Sequence, residues 1–262
     1  QAQIEENSLF PNRPRDLYVH ENPRSQVAEA FRALRTNLLF LSTGKAMKSL
    51  VITSANPSEG KTTVAISTAI SMAMSGKKTI LVEADMRRPR FHKSFSLSQE
   101  IGLTSCIAGA DSVKNHVQSC GVENLDVLAC GPIPPNPAEL LHTEQFRVIF
   151  EEMRELYDFV IFDSPPVNPV ADALVLGRLV EGCMIVVRAG TTTRQALAHA
   201  SRQVREVGVN FLGTVLNYRD VRKGNYGYGY GRRYGGSYGD YGYGSNGYSA
   251  PYYGPVDGEE SA

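Results

Sequence analysis

The chain has 262 residues, 42% of them apolar, with 27 basic and 27 acidic side chains. That length is enough to bury one sizeable core, and zero net charge argues against nucleic acid or an anionic membrane as the principal partner, since either would call for a basic excess. Four cysteines, Cys106, Cys120, Cys130 and Cys183, form no CxxC pair and have no histidine at zinc-like spacing, so buried thiols in a reducing cytoplasm are expected rather than a metal or redox site.

The first element is a helix over about 25–41, with Val27, Phe31, Leu34 and Leu38 as its apolar stripe. Glu29, Arg32 and Arg35 follow at successive i+3 steps, largely off that stripe, and by spacing alone they read as a solvated face with local ion pairs. A buried strand over 50–53 then runs into Ser54-Ala55-Asn56-Pro57-Ser58-Glu59-Gly60-Lys61-Thr62-Thr63 and directly into a helix over 61–75. This is the layout of a phosphate-binding loop. Amides of the turn and helix start, Ser58 to Thr63, would cradle phosphate oxygens. Gly60 permits close approach of the backbone, Lys61 offers a point charge, and Thr62 can ligate Mg²⁺. Ala55 stands where the usual pattern has its first glycine.

A second buried strand, 79–82, leads into Glu83-Ala84-Asp85-Met86-Arg87-Arg88-Pro89. If the backbone stays extended, Glu83 and Asp85 face one side, placed to bind the metal's waters or to accept a proton. The competing reading is a solvated loop with Glu83 paired to an arginine. Further along come a strand at 125–128, a helix at 138–156, and a strand at 159–162 that ends in Asp163, a second source of metal ligation at the carboxyl end of the sheet. A strand at 184–187, a helix at 193–207 and a strand at 211–216 complete the alternation, with Asn217 just after the last strand. Such alternation means crossover units and an α/β, doubly wound, mostly parallel sheet flanked by helices.

Beyond Val221 the pattern stops. Residues 224–254 hold ten of the thirteen tyrosines, interleaved with eleven glycines, and a composition of that kind cannot build a core. The chain therefore divides into a phosphate-loop domain over 1–222 and a flexible tyrosine-rich tail over 223–262. Taken alone, the tail also fits a phase-separating or RNA-stacking segment, with Arg232 and Arg233 adding cation–π contacts. The Gly242–Gly247 run matches a nucleotide-binding glycine pattern, but no strand precedes it. No apolar run approaches a membrane span and no secretory signal opens the chain. A start without Met points to a processed chain or an excised piece.

Taken together these features resemble the bacterial tyrosine kinases of capsule and exopolysaccharide synthesis, relatives of the MinD and ParA ATPases. The likeness spans nearly the whole chain. Ala55 to Thr62 stands for Walker A, Val82 to Pro89 for the Walker A′ run, and Phe159 to Pro166 for Walker B. The stretch Gly131 to Leu141, the Glu29-x-x-Arg32-x-x-Arg35 helix and the tyrosine-rich terminus match as well. The resemblance implies a P-loop protein-tyrosine kinase using ATP and Mg²⁺, with Lys61, Glu83, Asp85 and Asp163 catalytic. Ser58, Glu59, Gly60, Lys61, Thr62 and Thr63 would hold phosphates, and Asn217 would lie near the adenine. Thr62, Glu83, Asp85 and Asp163 would surround the metal.

It further implies self-association through Glu29, Arg32 and Arg35 into a ring homo-oligomer, an octamer in the family, with one subunit's tail entering its neighbour's site. The acceptors would be Tyr226, Tyr228, Tyr230, Tyr234, Tyr238, Tyr241, Tyr243, Tyr248, Tyr252 and Tyr253. A membrane polysaccharide co-polymerase as activator, a tyrosine phosphatase, and a cytoplasmic location at the inner face of the membrane are implied in the same way, and no nucleic-acid partner. Glu83 replaces the family's usual Asp, which puts its role in question. Asn56 occupies the place of the MinD-type signature lysine. The alternatives are a MinD-like regulatory ATPase and a nucleotide-switched scaffold.

Overall fold

Three strands that bury every residue form the middle of the sheet: β1 (Ser49–Ser54), β2 (Thr79–Glu83) and β5 (Phe159–Asp163). In the computed structural model, which describes residues 15–41 and 47–218, they lie within a seven-stranded sheet. The remaining strands are β3 (Gln118–Ser119), β4 (Leu125–Leu128), β6 (Gly182–Arg188) and β7 (Phe211–Asn217), and the order is β3-β4-β2-β5-β1-β6-β7. All pairings are parallel except β3 with β4. Strand β3 is two polar residues long, too short to leave a period in the sequence.

The strands alternate their side chains between two cores, as the pleat requires. Leu50, Ile52, Leu81 and Ile161 face one helical layer: α1 (Tyr18–Glu21), α2 (Gln26–Phe40), α3 (Lys61–Ala73) and α4 (Phe91–Phe95). Val51, Ile80, Val82 and Phe162 face the other, made by α5 (Leu103–Gly109), α6 (Pro137–Leu141), α7 (Glu144–Leu156), α8 (Asp172–Gly177) and α9 (Arg194–Glu206).

Helices α2, α7 and α9 start where Ser25, Thr143 and Thr193 accept a hydrogen bond from the backbone N–H three residues on. The Thr143 cap corrects the single helix expected over 138–156. With φ −68° and ψ 150°, Thr143 is extended, and it divides that stretch into α6 and α7. Helix α3 carries Val64, Ala65, Thr68, Ala69 and Met72 along one face, yet its burial is not confined to that face. Residues 64–73 are all buried, because α3 is pressed between the sheet and the N-terminal helices α1 and α2. On α2 the expected stripe is shifted. Ala28 and Leu38 are buried and Phe31 and Leu34 pack against the core, whereas Val27 is 45% exposed.

All four cysteines are buried as thiols and none is in a disulfide, and burial pushes the thiols of Cys106, Cys130 and Cys183 up to about 12. Among the described residues no helix is long and apolar enough to cross a membrane. The tyrosines from Tyr226 to Tyr253 lie outside the described residues.

Candidate active site

Parallel pairing brings the carboxyl ends of β1, β5 and β2 side by side. Asp163 is in register with Ile52 of β1 and with Glu83 of β2. The loop leaving β1 turns over this edge, where open α/β sheets gather their ligands. Gly60 takes φ +88°, a left-handed conformation that a glycine adopts without steric cost, and it hands the chain to α3. The first amides of α3 consequently point at the space above β5, a ready anion site at a helix N-terminus.

Four side chains converge there. The Lys61 ammonium lies 2.7 Å from Asp85 Oδ2, 3.8 Å from Asp163 Oδ1 and 3.4 Å from the Thr62 hydroxyl. Thr62 donates to Asp163 Oδ2 at 2.7 Å. Asp163 Oδ1 is buried and has no hydrogen-bond partner among the described residues. Burial pushes the Asp163 carboxyl up to about 6, against the opposing pull of Lys61. Burial alone would lower the Lys61 ammonium, but Asp163 and Asp85 outweigh it and hold the lysine above its usual range. The lysine thus balances part of the negative charge that Asp85 and Asp163 bring to the site.

Glu83 takes a different part from the one expected for it. Its Oε1 accepts the backbone N–H groups of Arg90 and of Phe91, the latter at 2.7 Å, and its Oε2 accepts Cys130 N–H at 3.0 Å. Glu83 therefore latches the turn after the Walker A′ run to the segment that follows β4. Three backbone donors only partly offset its burial, which pushes the carboxyl up to about 7. Among the described residues no three acids, histidines or cysteines gather around one ion position. Mg²⁺ keeps several waters and phosphate oxygens and takes only one or two protein ligands. The donor set of Thr62 hydroxyl, Asp163 and Asp85, with one buried carboxylate oxygen unsatisfied, suits such an ion.

Glu59 also turns away from the phosphate side. Its buried carboxylate accepts Asn56 N–H at 2.9 Å and the Thr192 hydroxyl at 2.5 Å, bracing the loop from within. Asn217, the last residue of β7, donates from Nδ2 to the Glu59 carbonyl at 3.1 Å, which places the end of β7 beside the phosphate loop. Ser58, at φ 64°, forms the exposed crest of the loop, and the Thr63 hydroxyl is engaged by Asp16.

Three participants have no local sequence signal: Asp16, Thr192 and Asp172. Asp172 is fully buried and binds Arg87 through both oxygens, at 3.0 and 3.2 Å. On α2, Arg32 pairs with Glu29 at 2.5 Å and with the Pro23 carbonyl, and Arg35 donates to the Ser71 carbonyl of α3 at 2.7 Å. Within the subunit Glu29 and Arg32 make the local ion pair their spacing gives, whereas Arg35 reaches across to α3.

Residues 47–207 match a family model described as an AAA domain. The chain is 40% identical over 215 residues to the tyrosine-protein kinase YwqD of Bacillus subtilis (strain 168), covering 82% of this chain and 91% of that protein. This chain belongs to the bacterial tyrosine kinases. Another relative of the kinase is the putative tyrosine-protein kinase CapB of Staphylococcus aureus, 38% identical over 207 residues, with 79% of this chain and 91% of that protein covered. Among solved structures, the kinase domain of the Escherichia coli tyrosine kinase ETK superposes with a TM-score of 0.77 at 35% identity. That match covers 88% of this chain and 89% of the other. MinD of Pyrococcus horikoshii, solved with Mg-ADP, has a TM-score of 0.56 and 18% identity, covers 67% of this chain and 72% of that one, and shows a shared fold. The bacterial tyrosine kinase described here thus has the P-loop NTPase fold.

Proposed function

We propose that this kinase transfers the γ-phosphoryl group of Mg-ATP to tyrosines of its own C-terminal cluster, in trans within a ring-type homo-oligomer. Through this reaction it regulates synthesis and export of a capsular or other exopolysaccharide. The supporting observation is the convergence of Lys61, Thr62, Asp85 and Asp163, with one buried Asp163 oxygen left to meet a cation. Magnesium, when bound, neutralises charge on the β and γ phosphates.

The roles follow from position. Lys61 leaves the acids and reaches the phosphates, Thr62 and Asp163 ligate the metal directly or through water, and loop amides from Ser58 to Thr63 cradle the phosphates. Tyrosine has a pKa near 10, so its hydroxyl needs an acceptor as it attacks. Asp85 serves, because Glu83 is committed to three backbone donors. The phenol oxygen forms a bond to γ-phosphorus and its proton passes to Asp85. The bond from γ-phosphorus to the bridging oxygen breaks, with the electron pair leaving on ADP.

A glycine-loosened tail can present many phenols in turn, and positioning is most of what phosphoryl transfer requires. Each phosphorylation adds about −1.5 to −2 charges, so a modified tail is repelled by the acidic site and the ring loosens. A membrane co-polymerase acts as activator and a tyrosine phosphatase resets the tail. These assignments of partners, and a place at the inner face of the membrane, come from the family. The competing reading is a MinD-like regulatory ATPase or switched scaffold, favoured only by the shared fold, and Asn56 replaces the lysine that such ATPases use.

Incubation with Mg-ATP and the co-polymerase's cytoplasmic segment, followed by peptide mass spectrometry with Lys61→Met as control, tests the proposal. Phosphotyrosine between Tyr226 and Tyr253 in the wild type alone supports it. Nucleotide hydrolysis with an unmodified tail would establish the ATPase reading instead.

A further inference from the structure

We infer that Asp16 is a positioning residue for phosphoryl transfer, through which the N-terminal segment fixes the first turn of the phosphate-binding helix. The inference rests on the reading of the site as one for Mg-ATP. Asp16 sits in a single 3₁₀ turn, Arg15–Leu17, and is only 9% exposed. Its Oδ1 accepts the Thr63 hydroxyl at 2.8 Å and its Oδ2 accepts the Ser94 hydroxyl at 2.7 Å. The donors come from two different parts of the site. Thr63 follows Thr62 in the first turn of α3, and Ser94 lies in α4, immediately beyond the turn that Glu83 latches.

One carboxylate therefore joins the helix that starts with Lys61 to the segment that follows Asp85. Hydrogen bonds to a charged acceptor are short and strong, and a negative charge beside the first turn of a helix is favoured by the helix dipole. The carboxylate is held in place by its neighbours. Leu17 and Val19 are buried in the core layer that contains Val64, Phe91 and Phe95.

The far end of α3 is tied to the same N-terminal region. Arg35 donates to the Ser71 carbonyl, and the Ser71 hydroxyl donates to the Phe31 carbonyl at 3.2 Å. The helix bearing Lys61 and Thr62 is thus held at both ends by residues that precede β1. A consequence concerns Thr63. With its hydroxyl given to Asp16, its share in phosphate binding falls to the backbone N–H.

The test uses the full chain with Asp16→Ala, Asp16→Asn, Thr63→Val and the Asp16→Ala/Thr63→Val double variant. Melting temperature is recorded for each, and kcat/KM for Mg-ATP is normalised to folded protein. A lost hydrogen bond to a charged group predicts about a tenfold fall in kcat/KM for Asp16→Ala. The double variant should fall no further than Asp16→Ala, since that change already removes the bond to Thr63. Asp16→Asn, which keeps an acceptor oxygen, should recover part of the loss, and it serves alone if the alanine variant does not fold. Values of kcat/KM within twofold of wild type for folded Asp16→Ala or Asp16→Asn, or losses that multiply in the double variant, would overturn the inference. Calorimetry on the wild type separates the two claims: no Mg-ATP binding there sinks the ATP reading itself.

Discussion

Thr62 donates its hydroxyl proton to Asp163 Oδ2, whereas Asp163 Oδ1, equally buried, has no hydrogen-bond partner among the described residues. An ionised carboxylate in that setting is expensive, and burial accordingly pushes Asp163 up to about 6 and Glu83 up to about 7. Both folded-state values lie above the unfolded ones. Between the two values the native state holds the proton that the unfolded chain has released, so stability falls as pH rises. For Asp163 the window runs from 3.8 to about 6, and for Glu83 from 4.5 to about 7. A metal on Asp163 reverses its part of the loss. Mg-ADP should therefore raise the melting temperature more at pH 7.5 than at pH 5, and Asp163→Asn should remove most of that difference. An equal ligand-induced shift at the two pH values in the wild type would contradict the assignment of Asp163 to the metal.

Lys61→Met removes the ammonium that pairs with Asp85 and that, in the proposed reaction, reaches the phosphates. Loss of one preorganised electrostatic contact to developing charge lowers rates by about 100-fold or more. The same change removes one ion pair of the buried Asp85, and breaking a buried pair costs roughly 3 kcal/mol. Phosphotyrosine formation and denaturant unfolding measure the two effects separately. Adding Asp85→Asn to Lys61→Met should restore stability without restoring activity.

Glu83→Gln and Asp85→Asn should part company, although the sequence gives both acids the same apparent standing. The Glu83 carboxylate satisfies three buried backbone donors, and an amide substitutes one oxygen by a group that is itself a donor. That mismatch costs about 1–3 kcal/mol. Folded Glu83→Gln should keep most of its kcat, while Asp85→Asn, retaining the fold, should lose about 100- to 10,000-fold in kcat, the range of a general base. Equal losses of kcat in the two variants would return Glu83 to the chemistry.

Period and loop chemistry made the core of this reading available from residues alone. The buried strands around Val51, Leu81 and Ile161 are apolar on both faces, and the run from Ser54 to Thr63 carries its function in consecutive residues. Lys61, Thr62, Asp85 and Asp163 each follow a strand whose end could be seen. What stayed hidden depends on distant pairs. Asp16 meets Thr63 across 47 positions and Thr192 meets Glu59 across 133, and no local pattern records such contacts. The backbone donors that Glu83 meets were hidden as well, because strand alternation fixes the side to which a residue points but not the partner it finds beyond the strand's end. Helix α8 is six residues long, less than two turns, and too short to establish a period.

Arg87 illustrates how such a hidden pair bears on catalysis. It lies two residues after Asp85, and its guanidinium grips Asp172, at the start of α8, through Nε and one Nη in a two-point fork. Asp172 is fully buried and Arg87 about a quarter exposed, with side-chain values of 1% and 27%. A planar fork fixes orientation as well as distance, so the pair holds the run that carries Asp85 against the segment that follows Asp163. Asp172→Asn keeps the shape and one acceptor oxygen but loses the charge and the second acceptor. The expected cost is about 2 kcal/mol of stability, the loss of a charge-assisted hydrogen bond. Lys in place of Arg87 preserves charge without the fork, so Arg87→Lys should lower kcat for tyrosine phosphorylation more than it lowers Mg-ATP affinity, which depends on the loop and Lys61. Calorimetric affinity for Mg-ATP and steady-state kinetics on the same preparation give both numbers. A fall in nucleotide affinity as large as the fall in kcat would mean that the pair supports the phosphate loop rather than Asp85.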